Sequence, residues 1–175
     1  ELLAHQLSLR LLRQETDKDA AWSLPRKNDL TERCVASLPF RLTGAQTRVW
    51  AEIAQDLKRP HPMMRLVQGD VGSGKTVVAA LAAVRAVEHG AQAAVMAPTE
   101  LLAEQHARNF NAWLEPPGVR VALLTGRQTG KVRAALETDL ACGAIQVAVG
   151  THALFQEDIA FQRLVLAIVD EQHRF

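Results

Sequence analysis

The stretch Gly69-Asp70-Val71-Gly72-Ser73-Gly74-Lys75-Thr76 fills every position of the pattern G-x-x-x-x-G-K-[ST]. The run before it, Met63 to Gln68, reads as a short buried strand over 64–68, and Val77 to Val87 is an Ala/Val-rich segment long enough for a helix. Strand, glycine loop and helix in that order make an anion cradle. The glycines allow close backbone approach, successive N–H groups point inward, and the positive end of the helix faces the phosphates. A nucleoside triphosphate is therefore the expected ligand. Lys75 is expected to reach its β/γ-phosphates and Thr76 to ligate Mg²⁺, with Gly69, Asp70, Val71, Gly72, Ser73 and Gly74 forming the loop around them. A glycine-rich turn matching by chance is the bland alternative, and the Lys-Thr pair and the preceding strand weigh against it.

Outward from this loop the pattern is regular. A helix marked by Val49, Ile53 and Leu57 precedes it and stops before Pro60 and Pro62. After it come helix 75–88 with Gly90 at its end, strand 93–97, helix 100–113, strand 119–124, helix 131–141, strand 145–149 and the apolar run Leu164 to Val169. Continuous apolar strands separated by helical patterns predict an α/β fold, a mostly parallel sheet with helices on both faces. Upstream, Leu3, Leu7 and Leu11 mark an amphipathic helix over residues 1–22, and a charged, turn-prone stretch leads to a short helix over 29–38 that stops at Pro39. Residues 1–40 thus read as an N-terminal helical linker, and 41–175 as one domain.

The 175 residues are 48% hydrophobic, enough for one sizeable core and too few for two full α/β domains. The formal net charge of +1 announces no global basic field, so any nucleic-acid contact is local. Cys34 and Cys142 have no metal-ligand spacing and make no disulfide framework. No run approaches a membrane span and the start lacks a signal-peptide core, so the expectation is a reduced, cytoplasmic chain with no membrane partner.

The last apolar run ends in Asp170-Glu171-Gln172-His173. Carboxylates at the carboxyl end of a buried strand lie where open α/β sheets bind ligands. Asp170 can hold Mg²⁺ through water, and Glu171 can orient and deprotonate an attacking water, so Glu171, Lys75 and Asp170 are the candidate catalytic residues. Alone, the two acids could equally open a solvated turn.

Asp170-Glu171-Gln172-His173 resembles the D-E-x-H form of motif II in superfamily 2 helicases, whose motor lobes are RecA-like. With Leu166 to Val169 before it and Arg174-Phe175 after it, it looks like the version shared by the RecG, PriA and transcription-repair coupling families. Three more segments follow that family's order: Ala97 to His106 resembles motif Ia, Leu124-Thr125-Gly126 motif Ib, and Val149 to Leu154 the T-x-x-L-type motif. Leu38 to Gln46 and the opening Glu1 to Gln6 tilt the match toward the RecG family. The resemblance implies the first RecA-like lobe of an ATP-dependent DNA helicase or translocase acting on branched DNA, stalled forks and Holliday junctions, with ATP and Mg²⁺ as cofactors. It implies that 1–40 joins a DNA-binding wedge domain to the motor, and that the lobe is cut at motif II. Wedge and second RecA-like lobe, with its arginine finger, would be partners from the same protein.

Individual residues carry two readings. Thr43-x-x-Gln46 is a capping box, and the resemblance adds that Gln46 reads adenine with an amide that donates and accepts at once. Thr99, Gly126 and Thr151 sit just past strand ends, where they could meet a phosphodiester backbone, although Thr99 is also a natural N-cap. Arg127 and Lys131 add charge beside Gly126 or merely solvate a turn. His173 links the nucleotide site to the lobe interface by resemblance. The other five histidines form no ligand set and are expected at the surface or as satisfied core residues, and the three tryptophans as packing. Two other functions compete: a P-loop switch or nucleotide kinase without DNA, against which no N-K-x-D motif is present, and a non-catalytic platform, which would need none of Lys75, Thr76, Asp170 or Glu171.

Overall fold

The computed structural model describes residues 20–70, 72–156 and 159–171. The helix expected over 1–22 lies outside these but for its last three residues, which are not helical. The elements are α1 (Leu30–Ser37), α2 (Gly44–Asp56), α3 (Lys75–Glu88), β1 (Gln92–Met96), α4 (Glu100–Leu114), β2 (Val121–Leu124), α5 (Gly130–Ala141), β3 (Val147–Gly150), a 3₁₀ turn (His152–Phe155) and β4 (Leu164–Val169). The four strands form one parallel sheet in the order β2-β3-β1-β4.

The alternation of side chains along a strand sorts the sheet's two faces. Ala93, Val95, Val147, Val149 and Leu166 point into the larger core, which α1, α2, α3 and α4 complete. Ala94 and Ala148 point the other way, into a smaller core with Leu140 of α5 and Leu154 of the 3₁₀ turn. The expected α/β sandwich is thus present, with unequal layers.

Helix α3 occupies the middle of the larger layer. Ten of its fourteen residues are buried, so it is covered nearly all round, and its Ala/Val composition lets neighbours approach closely. That burial includes Arg85 and Glu88, which must then find partners. Glu88 accepts from the Thr31 hydroxyl at 2.5 Å, the Thr31 amide at 3.0 Å and the Lys27 amide at 3.3 Å, and pairs with Arg85 at 3.3 Å. The Arg85 guanidinium lies 5.4 Å from the Trp50 ring centre. Through these bonds residues 20–40 are fastened to α3, and Leu24, Leu30 and Cys34 belong to the main core.

The segment expected as strand 64–68 is not one. Residues 62–70 have no regular secondary structure and pair with no strand among the described residues, and Met64 and Leu66 are exposed. Met63 and Val67 face the main core, while Arg65 is clamped to α2 through Asp56 and Glu52. An apolar run becomes a strand only beside another backbone, and the outer edge of β4 is unpaired among the described residues, with Leu164 and Val169 exposed. The pattern reports the tendency of the run, not the presence of its neighbour.

Candidate active site at the carboxyl edge of the sheet

Topology alone brings the loop and the carboxylates to one edge. Helix α3 runs back to the start of β1 through a tight turn in which Gly90 has φ 65°. Fourteen helical residues span about 21 Å and five strand residues about 17 Å. Lys75, at the head of α3, therefore lies level with the carboxyl ends of the strands, where β4 delivers Asp170.

Two glycines of the loop hold left-handed backbone. Gly72 and Gly74 have φ 82° and 80°, values that side-chain-bearing residues rarely adopt, and Gly74 is the N-cap of α3. A Cβ on Gly69 would stand 2.7 Å from Ser73 Oγ, and one on Gly74 would collide with the Gln46 amide. Lys75 Nζ donates to the carbonyls of Gly69 at 2.6 Å and Asp70 at 3.0 Å, so the ammonium is folded into the loop it is expected to serve. Val71 lies outside the described residues.

Gln46 is wired to the same loop. Its carbonyl accepts from the Thr43 amide at 2.8 Å, closing the capping box, and its amide donates to the Ser73 carbonyl at 3.0 Å. Each end of a Gln amide has a second lone pair or a second hydrogen, so one donor and one acceptor remain for a purine edge. Capping and base reading are compatible.

Asp170 still belongs to the sheet through its amide, which donates to the Met96 carbonyl at 2.8 Å. Glu171 turns sharply away with φ 48°, a left-handed backbone that costs a non-glycine residue roughly 1–3 kcal/mol. Gln172 and His173 lie outside the described residues. A magnesium ion takes only oxygen ligands and keeps several waters. The Thr76 hydroxyl and the Asp170 carboxylate suit it in kind, with phosphate and water oxygens completing the set.

His106, expected at the surface or as a satisfied core residue, is largely buried and bonded to Asp170, a partner that the sequence does not name. From α4 its Nε2 reaches Asp170 Oδ2 at 2.6 Å. No local pattern links residues 64 positions apart. Only the adjacency of β1 and β4 brings α4, which starts just past β1, to the end of β4.

The residues considered for nucleic acid sort along the same edge. Gly126 follows β2, Thr151 follows β3 and Thr99 lies shortly past β1, so the sheet order puts them on the side away from β4. Thr99 and Gly126 are exposed. Thr99 Oγ1 accepts from the Leu102 amide at 3.3 Å and caps α4. Thr151 is buried, and its carbonyl accepts from the Leu154 amide. The Arg127 guanidinium is paired with Glu100 at 2.5 Å, which neutralises part of the local charge. Among the described residues no helix is long and apolar enough to cross a membrane.

Comparison with known proteins agrees with this geometry. The chain is 57% identical to the ATP-dependent DNA helicase RecG of Escherichia coli (strain K12) over all 175 residues, and 55% identical to that of Haemophilus influenzae. It spans 25% of the length of each of these relatives. A solved structure of RecG bound to a three-way DNA junction superposes with a TM-score of 0.89 at 45% identity, covering 97% of this chain and 23% of the other. A hypothetical ATP-dependent RNA helicase from Sulfolobus tokodaii, 20% identical over 79% of this chain and 40% of its own, shares the fold with a TM-score of 0.57. The lean toward RecG read from short flanking segments is borne out. The family model for DEAD/DEAH box helicases matches residues 43–175, and the chain belongs to that family.

Proposed function

We propose that this chain is the ATP-binding and hydrolysing lobe of an ATP-dependent DNA helicase or translocase acting on branched DNA such as stalled forks and Holliday junctions. The observation that carries the reading is that the glycine loop at the head of α3 and the Asp170-Glu171 pair come to one edge of the sheet. The similarity to RecG, one structure of which holds a three-way DNA junction, supplies the substrate class.

In this reading the triphosphate displaces the Gly69 and Asp70 carbonyls from Lys75, whose ammonium then meets the β/γ-phosphates. Loop amides and the head of α3 hold the remaining charge, and Gln46 offers its free donor and acceptor to adenine. Thr76 and Asp170 would hold Mg²⁺, which neutralises charge developing on the phosphates when bound. Glu171, set off the strand by its left-handed backbone, orients and deprotonates the attacking water. Thr99 and Gly126 meet the DNA backbone through amide and hydroxyl groups, which grip without reading sequence. Residues 1–40 join a wedge domain to this lobe, which begins at about residue 41. A second RecA-like lobe supplies an arginine worth about 10³ to 10⁵ in rate. Reduced thiols and action on DNA fit a cytoplasmic protein.

Steady-state ATP hydrolysis by the full-length protein, with and without a three-way junction, tests this. Junction-stimulated turnover abolished by Lys75→Ala is expected, and the 175-residue chain alone should turn over very slowly. Hydrolysis that ignores DNA, or that survives Lys75→Ala, would refute it.

A further inference from the structure

We propose that His106 is the positioning residue for Asp170, and that through it helix α4 sets how the magnesium site is presented. The inference rests on the reading of Asp170 as the magnesium carboxylate.

A carboxylate only accepts, so at 2.6 Å the proton of the contact is carried by His106 Nε2. This is the ring's only hydrogen bond among the described residues, as Nδ1 is buried without one. The imidazole side chain is 13% exposed, against 31% for Asp170, so the bond is largely sheltered and its geometry is fixed by packing. The Asp170 backbone is held by β1 through Met96, and its Oδ2 by α4. With Oδ2 engaged by His106, Oδ1 is left to serve a metal-bound water. Carboxylates that hold metals are commonly fixed from behind in this way, and losing such a partner typically costs about 10- to 100-fold in metal affinity or activity.

The placement of His106 adds a second consequence. Two turns before it, α4 is capped by Thr99, and its first residue, Glu100, holds Arg127 beside Gly126. The surface assigned to DNA and the grip on Asp170 therefore lie two turns apart on one helix. A shift of α4 on binding DNA reaches the metal carboxylate without passing through the sheet.

The test uses the full-length protein with two substitutions that differ in reach. His106→Gln places an amide nitrogen the same number of bonds from the backbone as Nε2, whereas His106→Asn falls one bond short. Mn²⁺ binding to the complex with a non-hydrolysable ATP analogue is followed by electron paramagnetic resonance. Analogue affinity in EDTA is the control. His106→Asn is expected to weaken Mn²⁺ about tenfold with unchanged metal-free affinity, and to raise the Mg²⁺ needed for half-maximal hydrolysis alike. His106→Gln should stay within about threefold of wild type. Should His106→Asn not fold, His106→Ala, which keeps a strong helix former in α4, takes its place. Wild-type Mn²⁺ binding in the short variant, or equal loss in both, would overturn the proposal. Asp170→Asn separates the two readings. If it leaves Mn²⁺ binding intact, the assignment of Asp170 itself fails; if it abolishes binding while His106→Asn does not weaken it, only the positioning role fails.

Discussion

Removing the buried carboxylate of Glu88 tests whether residues 20–40 are built into the domain. The side chain is fully buried, and its two oxygens take the Thr31 hydroxyl, the Thr31 amide and the Lys27 amide while facing Arg85. Glu88→Ala leaves a buried guanidinium without its counter-charge and strands two donors of Thr31. Breaking a buried pair costs about 3–5 kcal/mol, and each hydrogen bond to a charged group about 1.5–3 kcal/mol. These terms overlap, since the same oxygens serve both, so about 4 kcal/mol is expected. Hydrogen exchange reads it locally in the full-length protein, where a single global unfolding energy is ill-defined. Amides of α1 and of the last turn of α3 should exchange roughly a thousandfold faster at 4 kcal/mol. Glu88→Gln, which keeps an acceptor but no charge, should cost about half as much, and Thr31→Val, which loses one hydrogen bond to the carboxylate, about 1.5–2 kcal/mol. Exchange in Glu88→Ala within threefold of wild type, or a Thr31→Val effect as large, would refute the reasoning.

Other positions give sharper outcomes. Gly150→Ala drives a Cβ into the Leu124 carbonyl oxygen and to 2.9 Å from Leu154 Cγ, so insoluble protein or a loss above about 3 kcal/mol is expected, and wild-type melting would contradict it. Gln46→Ala should lower the preference for ATP over GTP about tenfold, equivalent to one hydrogen bond; an unchanged preference would leave Gln46 only its capping and loop contacts. Burial pushes the Cys34 thiol up to about 11 from 9.0, while Cys142 is exposed. Peptide mapping after iodoacetamide at alkaline pH should therefore find Cys142 labelled and Cys34 protected, and equal labelling of the two in the folded protein would contradict it. The unfolded thiol ionises near its ordinary value and the folded one does not, so this contribution to stability is complete below pH 9 and fades between pH 9 and 11.

Helix α3 and the loop before it were legible because their constraints are local. Gly72 and Gly74 must adopt positive φ, Lys75 must follow, and an Ala/Val run must be buried. The order of elements followed from apolar runs and capping residues such as Thr43 and Thr99. What periodicity could not supply was adjacency. Met63 to Gln68 has the composition of a strand but finds no partner, because pairing depends on a neighbour that hydropathy does not name. His106 escaped for the same reason, its meaning lying in the pairing of β1 with β4. Thr151 has the right place at a strand end, yet burial removes its surface, which no residue type announces. Glu88, the last residue of α3, carries no local sign of its burial and is only 4% exposed.

The open flank of β4 has a practical consequence. Among the described residues no strand pairs with the outer edge of β4, which carries exposed Leu164 and Val169, and Met64 and Leu66 are exposed as well; such an edge is a template on which an extended peptide can add itself. Handled without a segment to occupy that flank, the domain invites strand exchange between copies. Its solution behaviour will then depend on protein concentration and storage time more than on its surface charge, and a charged residue in place of Leu164 or Val169 is the substitution that would keep copies apart.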